Sequence, residues 1–399
     1  MTVLSIVIPA YNEEKGITEI AVRVLSIEPA LKKVGVDRLE LLVVDDGSKD
    51  RTAEVATAIP GVSLIRHPQN KGYGAALKTG FSKASGELIG FLDADGTYPP
   101  EYFPQLCQAA LDGHDLVIGS RMAGADSRMP LTRRVGNLFF ASLLTLLSHQ
   151  KVTDSASGMR VFKREILEQI YPLPDGLNLT PVMSTRAVHE GIRIKEIPIP
   201  YSERVGRSKL SVVRDGRIFM QSMLWTALSY NPVRILGLLG LGGLGIAGIV
   251  FLWILSIRLQ GVTTLSPWGV AALFLALIST VTGVNLFALG ITFNYLVALF
   301  YKKPIRQGLF GKPVFKTPLD KQFGWMGLAA ILAGLAIGVT ALGLGVQGWE
   351  IKRLWFYMVG SAMVFLVGVQ LVVYWTLLRI LEELSQREAL TRHDKGLSE

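Results

Sequence analysis

The sequence predicts an α/β domain with a mostly parallel sheet, then interfacial helices and a four-helix transmembrane bundle. Three observations predict this. Short apolar runs of strand length alternate with helix-forming segments through about residue 210. The early runs end in polar, mostly acidic loops, the pattern of a sheet that binds ligands at the carboxyl ends of its strands. The chain is 50% apolar over 399 residues, but its long apolar stretches lie beyond residue 231.

The elements follow in order. Leu4 to Pro9 reads as a first buried strand, Ala10 to Glu14 as its loop, and a helix follows through about Leu25. Leu39 to Val44 is a second strand, ending in the polar loop Asp45 to Thr52, with a helix near Thr52 to Ala58. Val62 to Ile65 is a third strand. Asn70 to Ala76 opens the next helix, and its glycines are expected to let the backbone approach a ligand closely. Leu88 to Leu92 is a fourth strand and runs straight into Asp93 and Asp95.

That last junction carries the chemistry. Residues i and i+2 of a strand share a face, so both carboxylates can point one way. Two carboxylates side by side repel unless a cation or proton sits between them. Mg²⁺ takes one or two carboxylates together with substrate phosphates. A surface turn rich in acids is the alternative reading of an isolated Asp-x-Asp. The other acidic loops, at Glu13 and Asp45-Asp46, also follow strands and so gather on the same edge, which favours a site.

The runs Ser5-Ile-Val-Ile-Pro-Ala-Tyr-Asn-Glu-Glu14, Val43-Val-Asp-Asp-Gly-Ser48, Asn70-Lys-Gly72 and Leu92-Asp-Ala-Asp95 resemble the family 2 glycosyltransferases of GT-A, Rossmann-like fold. Asp115 to Arg121, Asp154 to Arg160 and Arg204 to Leu210 resemble the polyprenyl-phosphate branch, of dolichol-phosphate mannose synthase type. The resemblance implies that Pro9, Tyr11 and Glu13 line a nucleotide pocket, with Val44 and Asp46 beside the base. It places Asp93 and Ala94 against the nucleotide. Asp95, with Asp93 and Thr97, would hold Mg²⁺ or Mn²⁺ on the diphosphate, and Arg121 would reach the nucleotide sugar. Asp154 would orient an arginine or approach the sugar. Arg133, Arg204 and Lys209 would hold a lipid phosphate or the diphosphate. Two departures stand out. Many members of the family carry Gln where this chain has Thr97, and a hydroxyl is a poorer hard donor than an amide oxygen. The segment from Arg204 to Lys209 is one residue shorter than in some relatives.

The expected layout is a GT-A domain over 1–210, an interfacial amphipathic helix over 211–231, four spans within 232–383 and a cytoplasmic tail over 384–399. The spans fall at about 233–257, 267–301, 324–346 and 354–381. Inside the first domain, 134–148 is apolar with the basic start Arg128, Arg133 and Arg134; an interfacial helix and a core helix both fit it. Lys302, Lys303, Arg306, Lys312, Lys316 and Lys321 crowd the loop between the second and third spans. The positive-inside rule therefore puts the catalytic domain in the cytoplasm, at the inner membrane if the cell is bacterial. The single cysteine, Cys107, excludes an internal disulfide. The N-terminus lacks a basic n-region and a cleavage site, so no signal peptide is expected. The net charge of +9 suits anionic lipids and phosphorylated substrates better than nucleic acid.

With the resemblance, these residues imply an inverting transferase that moves a sugar, which the sequence does not identify, from a nucleoside-diphosphate donor of GDP-mannose or UDP-glucose type to undecaprenyl or dolichyl phosphate. A lipid phosphate is already anionic, so it needs positioning rather than a base. A polysaccharide or glycolipid synthase is the alternative, disfavoured by the absence of Gln-x-x-Arg-Trp. The third reading is an inert nucleotide-sugar-binding scaffold, against which the intact Asp93, Asp95 and Arg121 argue. A homo-oligomer or a flippase partner is compatible with the spans.

Overall fold

A computed structural model of the protein describes residues 1–122, 129–147, 152–201, 212–262, 264–301 and 319–394. It divides into two compact units, Met1–Ala227 and Leu228–Glu399.

In the first unit the described strands are β1 (Val3–Ala10), β2 (Arg38–Asp45), β3 (Val62–Arg66), β4 (Leu88–Phe91), β5 (Leu116–Ser120), β6 (Arg160–Lys163) and β7 (Ile194–Pro198). They form one sheet in the order β3-β2-β1-β4-β6-β5-β7. β1 pairs in parallel with both β2 and β4, which makes the β1/β4 crevice the point where strand order reverses. β6 alone runs antiparallel to its neighbours, β4 and β5. Ala10 is level with Asp45, and Phe91 with Arg160. The exits of β1, β2, β4 and β5 and the entry to β6 therefore share one edge. The sheet is mixed, yet this edge collects what a parallel sheet would collect. The central strands are nearly continuous apolar runs because both faces are covered. One core packs Ile6, Ile8, Val43 and Phe103 on one face; the other packs Val7, Phe81, Phe91 and Phe162.

The described helices of this unit are α1 (Ile17–Ser26), α2 (Glu28–Lys33), α3 (Thr52–Thr57), α4 (Tyr73–Lys83), α5 (Phe103–Leu111), α6 (Leu131–Leu147), α7 (Leu167–Ile170), α8 (Leu179–Glu190) and α9 (Val212–Tyr230), the last running into the second unit. Two of them are two-sided. α6 buries Asn137, Ala141 and Leu144, at i, i+4 and i+7, and exposes Leu131, Val135, Leu138 and Phe139. α9 buries Asp215, Phe219, Met223 and Ala227 and exposes Ile218 and Trp225. Leu144 and Met223 join the second core, and Phe140 meets Phe219 edge-on, ring centroids 6.0 Å apart. α6 is thus neither a plain core helix nor a free one: one face is core and the other is uncovered within this unit.

The second unit holds α10 (Pro232–Leu259), α11 (Pro267–Tyr301), α12 (Phe323–Val346) and α13 (Ile351–Asp394). Among the described residues these four segments are long and apolar enough to cross a membrane, so the chain is a membrane protein. Glycine lets the helices touch: a Cβ on Gly240 would lie 2.6 Å from the Gly283 carbonyl oxygen, and one on Gly368 would lie 2.7 Å from that of Gly327. α13 continues helical to Asp394, through most of the stretch expected as a tail.

Candidate active site

A cavity of about 950 Å³ opens at the carboxyl edge of the sheet, wholly within the first unit. Pro9, Tyr11, Glu13, Asp46, Asp93, Ala94, Asp95, Thr97 and Arg121 all line it, so nine of the expected residues converge. Val44 does not; it is fully buried in the core beneath. Asp154 is also fully buried, behind Arg121. Arg204 and Lys209 lie outside the described residues, as does the side chain of Arg133.

The loops after β1 and β2 are tied together. The Asn12 N–H donates to Ser48 Oγ at 2.9 Å, the Glu13 N–H to Thr52 Oγ1 at 2.8 Å, and the Lys49 N–H to Asn12 Oδ1 at 2.8 Å. Asn12 adopts φ 51°, which asparagine tolerates. Asp46 is nearly buried and accepts from His67 Nδ1 (2.7 Å) and the N–H groups of Lys71 and Gly72 (both 2.9 Å). His67 is held in turn through Nε2 at Thr79 Oγ1, 2.9 Å away. Asp46 therefore anchors the loop 70–72 as well as facing the pocket. The Cβ positions of Gly72 and Gly74 face chain, while Gly72 also lines the cavity. A Cβ on Gly74 would lie 2.2 Å from the Pro174 carbonyl oxygen, and the Gly74 N–H donates to Asp175 O at 2.7 Å. The start of α4 therefore packs against the segment 174–176 on one side and lines the cavity on the other.

The acidic pair is held in place. Tyr73 Oη donates to Asp93 Oδ1 at 2.8 Å, and Thr97 Oγ1 donates to Asp95 Oδ1 at 2.6 Å. Burial and the neighbouring Asp93 push the Tyr73 phenol well above its ordinary range, so it stays a donor. Gly158 lies against Asp93: a Cβ there would stand 2.5 Å from Oδ2. Its N–H donates to Tyr98 Oη at 2.7 Å.

Arg121 is caged. Asp154 accepts from its Nε and Nη2, both at 2.8 Å, and from its backbone N–H at 2.9 Å. Its guanidinium lies over the rings of Tyr98 (5.8 Å) and Tyr201 (5.5 Å). Burial works against both charges, yet the pair prevails. The Asp154 carboxyl is held below its usual range and the Arg121 guanidinium well above its own. Asp154 thus holds the Arg121 guanidinium in one orientation.

Behind the cage, Arg160 is fully buried and donates through Nε to Ser157 O (3.1 Å) and through Nη2 to Ser155 O (2.8 Å). Burial lowers its pKa to about 10, against the pull of Asp154. It fixes the turn that presents Gly158. Sequence reasoning assigned no role to Tyr73, Tyr98, Tyr201, His67 or Arg160. Tyr98 sits in the acidic loop and Arg160 closes a quoted motif, so those two had a local signal; the other three did not.

The model for "Glycosyl transferase family 2" matches residues 5–171, and a domain of unknown function matches 232–392. The dolichyl-phosphate hexose transferase of Haloferax volcanii is 33% identical over 225 residues, 56% of this chain and 94% of that protein. The chain belongs to glycosyltransferase family 2. This transferase is also 32% identical over 324 residues to the undecaprenyl-phosphate 4-deoxy-4-formamido-L-arabinose transferase of Pseudomonas paraeruginosa, covering 79% of this chain and 91% of that one. Glucosyl-3-phosphoglycerate synthase of Mycobacterium tuberculosis, solved with Mn²⁺, UDP and glucosyl-3-phosphoglycerate, matches 57% of this chain and 80% of that one. Its identity of 23% and TM-score of 0.46 carry no argument about the site.

The transferase's donor set suits a hard divalent cation. Asp93, Asp95 and Thr97 bring oxygen donors of short, held side chains to one wall, where a diphosphate would complete the shell. The far end of the same cavity is different in kind, with Met129, Val135, Phe139, Phe140, Phe219 and Met220 in its wall.

Proposed function

We propose that the transferase moves a hexose from a nucleoside-diphosphate sugar to a polyprenyl phosphate, with inversion at the anomeric carbon. One observation carries this reading: a single cavity joins the carboxylate and arginine cluster to an apolar wall made by α6 and α9. A water-soluble donor suits the first end and a lipid acceptor the second. The names of the relatives from Haloferax volcanii and Pseudomonas paraeruginosa, which specify dolichyl and undecaprenyl phosphate, support the acceptor class.

In the proposed reaction an acceptor phosphate oxygen attacks the anomeric carbon. The bond from that carbon to the donor diphosphate breaks, and its electron pair leaves on the diphosphate oxygen. The products are the lipid-linked sugar phosphate and a nucleoside diphosphate. No proton need be removed from the acceptor, so no base is required. Asp95, with Asp93 and Thr97, would hold Mg²⁺ or Mn²⁺, which when bound neutralises charge on the leaving diphosphate. Pro9, Tyr11, Glu13 and Asp46 would seat the nucleotide. Arg121, kept rigid by Asp154, would meet the donor's sugar or phosphate without reorganising. GDP-mannose and UDP-glucose are the donor types to try first.

The uncovered faces of α6 and α9 are proposed to lie in the membrane interface, where Trp225 and the apolar residues of α6 would enter the headgroup region. The basic loop 302–321 would keep the catalytic unit in the cytoplasm. Protease outside sealed spheroplasts should then spare the first unit; cleavage between Asn70 and Arg121 would reverse that topology. The function itself is tested by a donor panel. Purified protein, Mg²⁺ and undecaprenyl or dolichyl phosphate should give one lipid product whose mass names the sugar. Donor binding without transfer to any lipid phosphate would favour the inert scaffold.

A further inference from the structure

Among the described residues the cavity wall carries two cationic side chains, Arg121 and Arg217. Four carboxylates line the same cavity, Glu13, Asp46, Asp93 and Asp95. Arg121 is committed to Asp154 and the two tyrosine rings. Arg217 is exposed, and among the described residues no carboxylate stands within ion-pair distance of it. It lies on α9 between Gly216 and the wall residues Phe219 and Met220, and Val135, Phe139 and Phe140 of α6 line the same apolar end. Met223 turns into the core and Phe219 packs against Phe140 of α6, and together they fix the helix rotation that gives Arg217 to the cavity.

A cation beside an apolar wall recognises one kind of ligand well: an anionic head joined to a hydrocarbon tail. The guanidinium fork matches phosphate oxygens, and the long stem packs along apolar surface. The charges of the cavity sharpen this. An acceptor anion approaching the acidic end unaided is repelled, whereas Arg217 offers it a positive station at the apolar end.

We propose that Arg217 binds the phosphate of the lipid acceptor and holds it at the mouth of the cavity. The inference rests on the polyprenyl-phosphate reading above and adds a residue that reading does not use. A bilayer phospholipid presents the same phosphate chemistry from outside the cavity, and the test must tell the two apart.

The test uses the full-length protein in detergent, with the donor that the wild type uses and undecaprenyl phosphate as acceptor. Arg217→Gln should raise the apparent KM for the lipid phosphate about tenfold or more, the loss of one charge-assisted contact, and leave donor KM unchanged. Arg217→Lys should recover part of that loss. Because Arg217 is exposed, neither change should disturb folding, and a thermal melt checks this. An unchanged acceptor KM in the glutamine variant overturns the assignment, as does a rise in donor KM alone. Weaker binding to phosphatidylglycerol vesicles with unchanged KM in detergent would assign Arg217 to the bilayer and overturn it too. A short-chain prenyl phosphate, followed by thermal shift without donor, separates this inference from the reading beneath it. Wild-type protein that binds this probe but never transfers to it or to undecaprenyl phosphate breaks the transferase reading. Equal binding of the probe by wild type and Arg217→Gln breaks only the role of Arg217.

Discussion

The two ends of the cavity are built on opposite plans. At the sheet edge nearly every polar group is held by another. Asp46 takes three donors, Asp93 takes Tyr73, Asp95 takes Thr97, and Arg121 is gripped by Asp154 between two rings. At the α6/α9 end the wall is apolar and carries, among the described residues, one exposed arginine, Arg217. The difference teaches what each substrate asks of a protein. A leaving diphosphate is stabilised by dipoles and charges already in place, since reorganising them during reaction costs barrier height. A polyprenyl chain is uniform and flexible, and asks only for apolar surface and a point of charge at its head.

The largest effect should come from the rigid end. Asp95→Ala is expected to lower kcat about 10³-fold or more in metal-replete buffer, with circular dichroism unchanged. Near-wild-type turnover would remove the metal role from this residue. Asp154→Asn should follow. It leaves the largely buried Arg121 without its counter-charge, so a destabilisation of ~3–5 kcal/mol and a kcat loss near 10²-fold are expected. The pH dependence has a definite sign. The folded carboxyl lies below its ordinary 3.8, so its contribution is full above that value and is lost as pH falls through the depressed one. The wild type should show this loss in acid melts, and the Asn variant should lack it.

Tyr98→Phe keeps the ring over Arg121 but leaves the Gly158 N–H without its acceptor. About 1–3 kcal/mol of stability and a several-fold drop in kcat are expected, with Tyr98→Ala much worse. If Phe and Ala behave alike, the ring contact with Arg121 contributes nothing. The smallest effect belongs to the open end. Phe139→Ala removes an exposed ring and should raise KM about two- to fivefold for a long polyprenyl phosphate and not for a short one. A change in donor KM instead would mean that the ends are not separate.

Much of the rigid end was legible in the sequence, because it is written in short motifs at strand ends. Asp93, Asp95, Asp46 and Glu13 follow apolar runs, and a sheet with parallel β1, β2 and β4 must bring those exits to one edge. The four apolar helices were legible from length alone. What holds the motifs was not. His67 reaches Asp46 across 21 positions, and Tyr201 reaches Arg121 from beyond the end of β7; neither separation leaves a local pattern. Nor was it legible that the Cβ positions of Gly72 and Gly74 face Pro174 and Asp175, about a hundred residues on.

The sequence by itself determined which chemistry this transferase carries and where its membrane part begins. Apolar periodicity and acidic strand ends are local consequences of burial and hydrogen bonding, readable one segment at a time. Only the tertiary structure decided that Asp154 grips Arg121, that Val44 is buried beneath the cavity and that Arg217 faces it. Each depends on which side of a packed element a residue falls. The sequence leaves that rotation undetermined until a second element, here Phe219 against Phe140 or Tyr98 against Gly158, closes on the first.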